Sequence, residues 1–304
     1  MNAEDLPAGE VAQVIPLHAP RGPQAERNPL ERSLASGLAF LRRRLSGEYD
    51  VDEFGFDADF TSSVAAPLAR LLYQHWFRVE LHGLHHIPDH GGALIVANHS
   101  GTVPFDAAML QVGLHDAADR HLRLLGADLV YQVPFLASLA RKSGHTLACP
   151  QDAARLLDKG ELVGVFPEGF KGVGKPFGER YRLQRFGRGG FVSTALRSDV
   201  PIIPCAIVGA EEIYPKVGEL QFLARLLGLP YFPLTPTFPL FGALGLIPLP
   251  SKWMIQFGEP VSVEEYTAEA ADDPMTVFNL TDQVRETIQQ MLYDLLLRRG
   301  PAFF

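Results

Sequence analysis

Short, wholly apolar runs separated by longer amphipathic stretches constrain this 304-residue chain more than any other feature. Ala93-Leu94-Ile95-Val96 offers no polar residue to either side of a pleat, so the strand it forms must be covered on both faces. The same reading places strands at Arg78–Gly83, Ala93–Ala97, Leu122–Gly126, Leu162–Phe166, Ile202–Val208 and Trp253–Phe257. Helices are expected between them at Asp106–Gly113, Pro134–Lys142, Gln151–Lys159 and Gly189–Arg197, and a closing helix at Pro274–Arg299. This alternation predicts an α/β fold, a mixed and mostly parallel central sheet flanked by helices.

Ahead of the alternation, residues 1–29 read as a flexible leader and residues 30–77 as an N-terminal helical pair. The pair comprises Leu30–Leu45 and Ser62–Phe77, joined by an acidic linker over Asp50–Asp59. Residues 78–304 then form one α/β domain. Hydrophobic residues make up 47% of the chain, enough for one large core. Two cysteines, Cys149 and Cys205, both in apolar surroundings, argue against a disulfide framework and for a reducing compartment. A net charge of −8 argues against general nucleic-acid binding.

Where strands end, chemistry begins. Ala93–Ala97 runs into Asn98-His99-Ser100-Gly101-Thr102-Val103-Pro104-Phe105-Asp106. A histidine at a strand edge with a carboxylate nearby is the minimum equipment for removing a proton from a hydroxyl. Asp106 fits equally as the N-cap of the helix that follows, and the two roles are compatible. Leu162–Phe166 runs likewise into Pro167-Glu168-Gly169-Phe170-Lys171, where Glu168 either serves function or ties down its own turn. Gly169–Lys175 has the spacing of a phosphate-binding loop, but Pro176 stands where Ser or Thr must hold Mg²⁺, so a nucleotide site is not formed. His82, His85, His86 and His90 surround an exposed turn, and no metal is expected. The segment 170–190 is locally basic, with Lys171, Lys175, Arg180, Arg182, Arg185 and Arg188 against one acid, Glu179. It suits an anionic partner, or pairs with acids elsewhere in the chain.

The three blocks NHSGTVPFD, FPEGFKG and VPIIPCAI resemble, in order and spacing, signatures of the glycerolipid acyltransferase family, the 1-acylglycerol-3-phosphate acyltransferases. The resemblance covers roughly residues 75–265. Two departures stand out. Six residues separate His99 from Asp106 where the family has four, and Phe170-Lys171-Gly172 replaces the usual Thr-Arg-Ser. No counterpart of the family's second block, with its acceptor-binding arginine, is found.

What the resemblance implies is an O-acyltransferase of that family's fold. It would move a fatty acyl group from an acyl-CoA or acyl-carrier-protein thioester to a hydroxyl of a lysophospholipid or related glycerolipid. His99 and Asp106 would form the catalytic pair, with no covalent intermediate and no bound cofactor. Backbone N–H groups of Ser100, Gly101 and Thr102, or of Gly169, would hold the oxyanion. Phe166, Pro167, Glu168, Gly169 and Lys171 would bind substrate, and Lys175, Arg185 and Arg188 are candidate phosphate contacts. The alternative is a non-catalytic lipid- or acyl-CoA-binding protein of the same fold. Residues 226–251 contain no acid or base but several prolines, which bar a spanning helix. Three readings stand for this apolar flap: it dips into one leaflet, roofs an acyl tunnel, or is an ordinary buried loop pair. The expected setting is cytoplasmic, peripheral or monotopic on the inner face of the membrane.

Overall fold

The structure, a computed structural model, describes residues 29–303 apart from 101, 102, 104 and 133. The leader expected over 1–29 therefore lies outside the described residues except for Pro29, which opens helix α1 (Pro29–Ser46). After a turn comes a continuous helical stretch over residues 58–76. In it α2 (Ala58–Phe60) and α3 (Ala66–Leu71) alternate with wider π-type turns. The helical pair is thus present. The acidic segment between its members is an ordered strap rather than a free linker. Asp52 accepts from the amides of Phe54 and Phe56 and pairs at 2.7 Å with Arg123, a core-buried guanidinium; Phe54 is 5% exposed. Asp57 caps α2 and pairs with Arg44. Asp52, Glu53, Asp57 and Asp59, which repel in sequence, are each paired with a cation from α1 or from the α/β domain.

The α/β domain follows in chain order as β1 (Glu80–His82), β2 (Ala93–Ala97), α4 (Phe105–Ala118), β3 (Leu122–Gly126), α5 (Asp128–Gln132) and α6 (Pro134–Lys142). It continues with β4 (His145–Leu147), α7 (Pro150–Asp158), β5 (Leu162–Val165), α8 (Phe170–Val173), α9 (Gly190–Ser198) and β6 (Ile202–Val208). Last come β7 (Gly218–Glu219), α10 (Gln221–Leu227), β8 (Pro233–Leu234), β9 (Met254–Phe257) and α11 (Pro274–Arg299). The main sheet has the order β1-β9-β6-β2-β5-β3-β4, and only the β6–β9 pairing is antiparallel. β7 and β8 form a separate ribbon.

Alternation along β2 explains the two cores. Leu94 and Val96 pack with α7, α9 and α11 on one face, whereas Ala93, Ile95 and Ala97 pack with α4, Phe77 and Trp253 on the other. α11 is capped by Asp273, which accepts from the amides of Met275 and Thr276, and buries Val277, Leu280, Val284 and Ile288. The strands β2, β5, β3 and β4 all run parallel, so their carboxyl ends share one edge of the sheet. There the loops carrying the polar motifs emerge. This is the edge at which open α/β sheets bind ligands.

The segment 226–251 is not a buried loop pair. It holds the end of α10, the strand β8 and a short 3₁₀ turn at Gly242–Leu246, and exposes much of its apolar surface. Among the described residues no helix is long and apolar enough to cross a membrane.

Candidate active site

Asn98 fixes where the chain leaves the sheet. β2 pairs with β6 up to Ala97 opposite Cys205. The Asn98 side chain then extends the ladder by donating to Ile207 O at 3.0 Å and accepting from Ile207 N at 2.7 Å. His99 follows at once. Its ring stacks on Phe166, from the end of β5, with centroids 4.4 Å apart and planes 26° apart.

The His99 Nδ1 lies 2.8 Å from Asp106 Oδ2. Asp106 sits in the first turn of α4 and is completely buried. Its Oδ2 also accepts from Ser100 N at 2.9 Å, and its Oδ1 from Ala107 N at 2.8 Å, so three N–H groups fix the carboxylate. A carboxylate only accepts; Nδ1 therefore carries the ring proton, and Nε2 holds a lone pair that meets no hydrogen-bond donor among the described residues. The imidazole is 15% exposed against none for its partner. The result is a base oriented from behind and open in front.

A second carboxylate holds the loop itself. Glu168 Oε1 accepts from His99 N at 3.0 Å and Oε2 from Gln184 N at 2.6 Å. Lys175 stands beside it, 3.4 Å from Glu168 Oε2 and 3.0 Å from Glu211 Oε1, and donates to Arg182 O at 3.2 Å. All three side chains are 5% exposed or less. Burial pushes the Glu211 carboxyl up to about 7, against the lowering pull of Lys175. Gly172 lets these parts close together: a Cβ there would stand 2.7 Å from His99 O and 2.8 Å from Glu168 Cβ.

A cavity of about 470 Å³ opens on the same edge, lined by Ala127, Asp128 and Ala148 at the ends of β3 and β4, by Phe170, and by Gly228, Leu229 and Pro230 after α10. Tyr231 follows; burial, then the charge of Asp106, push its phenol up. The flap therefore packs against the loop after β5, where a Cβ on Gly174 would stand 3.4 Å from the Tyr231 ring.

The sequence model of the acyltransferase family matches residues 78–208, the span from β1 to the end of β6. An uncharacterized protein of Mycobacterium tuberculosis is 58% identical over 92% of this chain and 79% of its own length. The chain belongs to the acyltransferase family. More distantly, an enzyme of Bos taurus named as synthesizing storage lipids independently of DGAT1/2 is 23% identical over 71% of this chain and 60% of its own. The crystal structure of PlsC, the 1-acyl-sn-glycerophosphate acyltransferase of Thermotoga maritima, superposes with a TM-score of 0.53. It covers 88% of this chain and 98% of the other at 18% identity, and so shares the fold.

In this acyltransferase the six-residue gap does not separate His99 from Asp106, because α4 begins at Phe105 and turns the carboxylate back toward the imidazole. Several other expectations are corrected. Glu168 has both oxygens engaged by the protein, so it positions the His99 loop instead of binding substrate. Lys175 is turned inward between two carboxylates and is not a phosphate contact. The amides of Ser100 and Gly169 are spent on Asp106 Oδ2 and Phe166 O, so neither is an oxyanion donor. Gly101 and Thr102 lie outside the described residues. Phe166 packs on the His99 ring, and Pro167 O accepts from Gly187 N at 3.3 Å, so both shape the site. Lys171, Arg185 and Arg188 are exposed and make no ion pair among the described residues. Sequence reasoning did not single out Glu211, Gln184 or Tyr231. Only Tyr231 carried a signal, as the single tyrosine in the uncharged run 226–251.

Proposed function

We propose that this acyltransferase moves a fatty acyl group from an acyl-CoA or acyl-carrier-protein thioester to a free hydroxyl of a lysophospholipid or related glycerolipid. The observation that carries the reading is the His99 imidazole, held by a buried carboxylate on one side and open on the other. His99 Nε2 takes the proton of the acceptor hydroxyl as its oxygen attacks the thioester carbonyl carbon. The tetrahedral intermediate collapses with cleavage of the C–S bond. The departing thiolate recovers the proton from the imidazolium, which Asp106 stabilises, leaving an ester and a free thiol. General base action of this kind contributes about 10² to 10⁴ in rate.

Direct transfer is favoured because, among the described residues, no competent nucleophile is found beside the imidazole. Ser100 is completely buried and its Oγ meets no hydrogen-bonding partner among the described residues. Burial, then the charge of Asp106, push the Cys205 thiol well up, and that residue is fully buried as well. A glycerolipid acceptor agrees with the activity named for the Thermotoga protein and with the storage-lipid synthesis named for the Bos taurus enzyme. Exposed Lys171, Arg185 and Arg188 are available to an acceptor phosphate, and the 470 Å³ cavity to an acyl chain.

The test is thiol release from acyl-CoA and from acyl-carrier protein with 1-acylglycerol-3-phosphate and other lyso-glycerolipids. The expected result is acceptor-dependent thiol release matched by diacyl product, and no acylated protein by mass spectrometry when donor is given alone. Acceptor-independent hydrolysis, or full activity in His99→Ala, would overturn the reading.

A further inference from the structure

Glu168 holds the His99 loop as a carboxylate. Its Oε1 accepts from His99 N and its Oε2 from Gln184 N. A protonated acid would present an O–H at one of those oxygens and so lose one of the two ties. The side chain is wholly buried, and burial by itself drives a carboxyl toward its neutral form. Against that stand the two N–H groups and one ammonium, Lys175 Nζ, 3.4 Å from Oε2. Among the described residues no other cation lies within ion-pairing distance of Glu168. Neighbouring cations are committed elsewhere. Lys216 pairs with Glu219 and donates to Gly174 O at 2.7 Å, and Arg299 pairs with Glu212 at 2.6 Å. Arg180 is exposed and donates to Phe177 O. Glu211, 3.0 Å from Lys175 and itself buried, brings a second carboxylate to the same lysine. It accepts a main-chain hydrogen bond from Tyr181, and Lys175 donates to Arg182 O, so the ammonium is held in place.

We infer that Lys175 is a positioning residue for acyl transfer, its ammonium keeping Glu168 ionised so that the His99 and Gln184 amides are both held. The inference rests on the reading of His99 as the base. Lys175 meets no substrate: 3% of its side chain is exposed, and it acts through Glu168. What matters at position 175 is therefore the charge. Methionine fills nearly the same space without it, and leaves Glu168 and Glu211 buried on the two sides of an uncharged chain. Two carboxylates so placed do not both stay ionised. A proton taken up by Glu168 removes one of its ties, and the main chain that carries the imidazole is released. The charged groups facing Glu168 come from four directions. Lys175 follows α8, Glu211 stands in the turn after β6, and His99 in the loop after β2. Arg182 and Arg185 flank Gln184 but are exposed. Arg180 and Lys216 line the same small recess as Lys175 and Glu211.

The test is kcat and KM for acceptor-dependent thiol release by the full chain from about pH 6 to about pH 9, alongside the unfolding midpoint in urea. In the wild type the acid limb of kcat reports the His99 base. Lys175→Met is expected to lower kcat about tenfold or more near pH 7 while KM changes less than about threefold. Its acid limb should move at least about one pH unit higher, so that most of the loss is recovered in alkali. Glu168→Gln/Lys175→Met carries no ionisable group at position 168: its kcat stays low, but its limb returns to the wild-type position. Should Lys175→Met fail to fold, Lys175→Met/Glu211→Gln removes one buried acid along with the cation. Its limb must still be displaced, because Glu168 has lost its ammonium. The backbone amide of His99, followed by NMR in protein carrying nitrogen-15 histidine, gives a reading independent of turnover. Its proton resonance should move with pH over the displaced limb in Lys175→Met and not in Glu168→Gln/Lys175→Met. A packing role alone predicts kcat reduced by one factor at every pH, with limb and amide titration unmoved, and that result would overturn the inference. So would a limb displaced in Lys175→Met but normal in Lys175→Met/Glu211→Gln, which assigns the titration to Glu211. A wild type that releases no thiol would instead sink the acyl-transfer reading, and the His99 amide would still decide whether Lys175 keeps Glu168 ionised.

Discussion

The backbone N–H of His99 donates to Glu168 Oε1 at 3.0 Å, joining positions 69 apart in the sequence. This bond ties the loop after β2 to the loop after β5, and the second oxygen of the same carboxylate ties both to Gln184. His99 is therefore positioned through its main chain by one acid and through its ring by another, Asp106. Each carboxylate has both oxygens engaged by N–H groups of the protein.

Glu168→Gln tests the main-chain half of that arrangement. A glutamine has one acceptor oxygen, so its NH₂ would face the amide of either His99 or Gln184, and Lys175 would lose one of its two anions. Breaking a buried ion pair on one side costs about 3–5 kcal/mol. We expect a loss of that order in urea unfolding, together with a fall in kcat larger than any rise in KM, because loop placement suffers more than substrate contact. A Gln variant with wild-type stability and wild-type kcat would show that the carboxylate does not hold the loop.

Lys175 stands between Glu168 and Glu211, and the second of these predicts a pH dependence. The Glu211 carboxyl is raised from 4.5 to about 7, chiefly by burial. Between those values the folded protein keeps a proton that the unfolded chain has lost. Stability contributed by this group therefore falls as pH rises from about 5 to about 7, with a slope of at most about 1.4 kcal/mol per pH unit. Urea unfolding at intervals from pH 5 to pH 8 should show the wild type losing ground steadily to Glu211→Gln, with the difference levelling off above pH 7.5. Parallel profiles for the two proteins would remove Glu211 as the titrating group.

Continuous apolar runs were legible as strands because no other local structure suits them: Ala93–Ala97 and Ile202–Val208 match the structure end to end, as does Leu122–Gly126, whose one charge is Arg123. β4 was not legible, since His145-Thr146-Leu147 is too short to show a period and owes its strand geometry to pairing with β3. The acidic segment 50–59 looked like a linker for a related reason: its order comes from Arg123, which lies far off in sequence inside the core. At the candidate site, the pairing of His99 with Asp106 was legible because a histidine at a strand end and a carboxylate in the following turn are close in sequence. Glu168 and Lys175 were misread as ligand groups because a polar residue in a glycine-rich loop looks available. What consumes them is the Gln184 amide and Glu211, and no local pattern announces a tertiary partner.

Substitution at the pair itself separates catalysis from folding. His99→Ala removes a partly exposed ring and leaves the Asp106 carboxylate still bonded to the amides of Ser100 and Ala107. We expect a fall of about 10² to 10⁴ in kcat with little change in the thermal midpoint. Asp106→Asn should be comparably inactive and less stable. Its amide NH₂ can donate to Nδ1, which favours the wrong tautomer, and it offers fewer acceptors to the N–H groups around it. Thiol-release kinetics and calorimetry of both variants check this. A stable, half-active Asp106→Asn would show that the tautomer is set elsewhere.

Gly172→Ala tests how tightly the two loops must close. The added Cβ would come within 2.7 Å of the His99 carbonyl oxygen and 2.8 Å of Glu168 Cβ, and the first of these is main chain that cannot rotate away. Relief requires the α8 turn or the His99 loop to shift. Overpacking of this kind costs about 1–3 kcal/mol, and a displacement of about 1 Å at a catalytic group costs about 100-fold in rate. The control is Gly178→Ala, where the new methyl meets nothing within 4 Å. It should stay within about 0.5 kcal/mol of the wild type. The measurement is kcat alongside the urea midpoint for both variants. If Gly172→Ala matches Gly178→Ala in both, the close approach of the two loops is not what sets the position of His99.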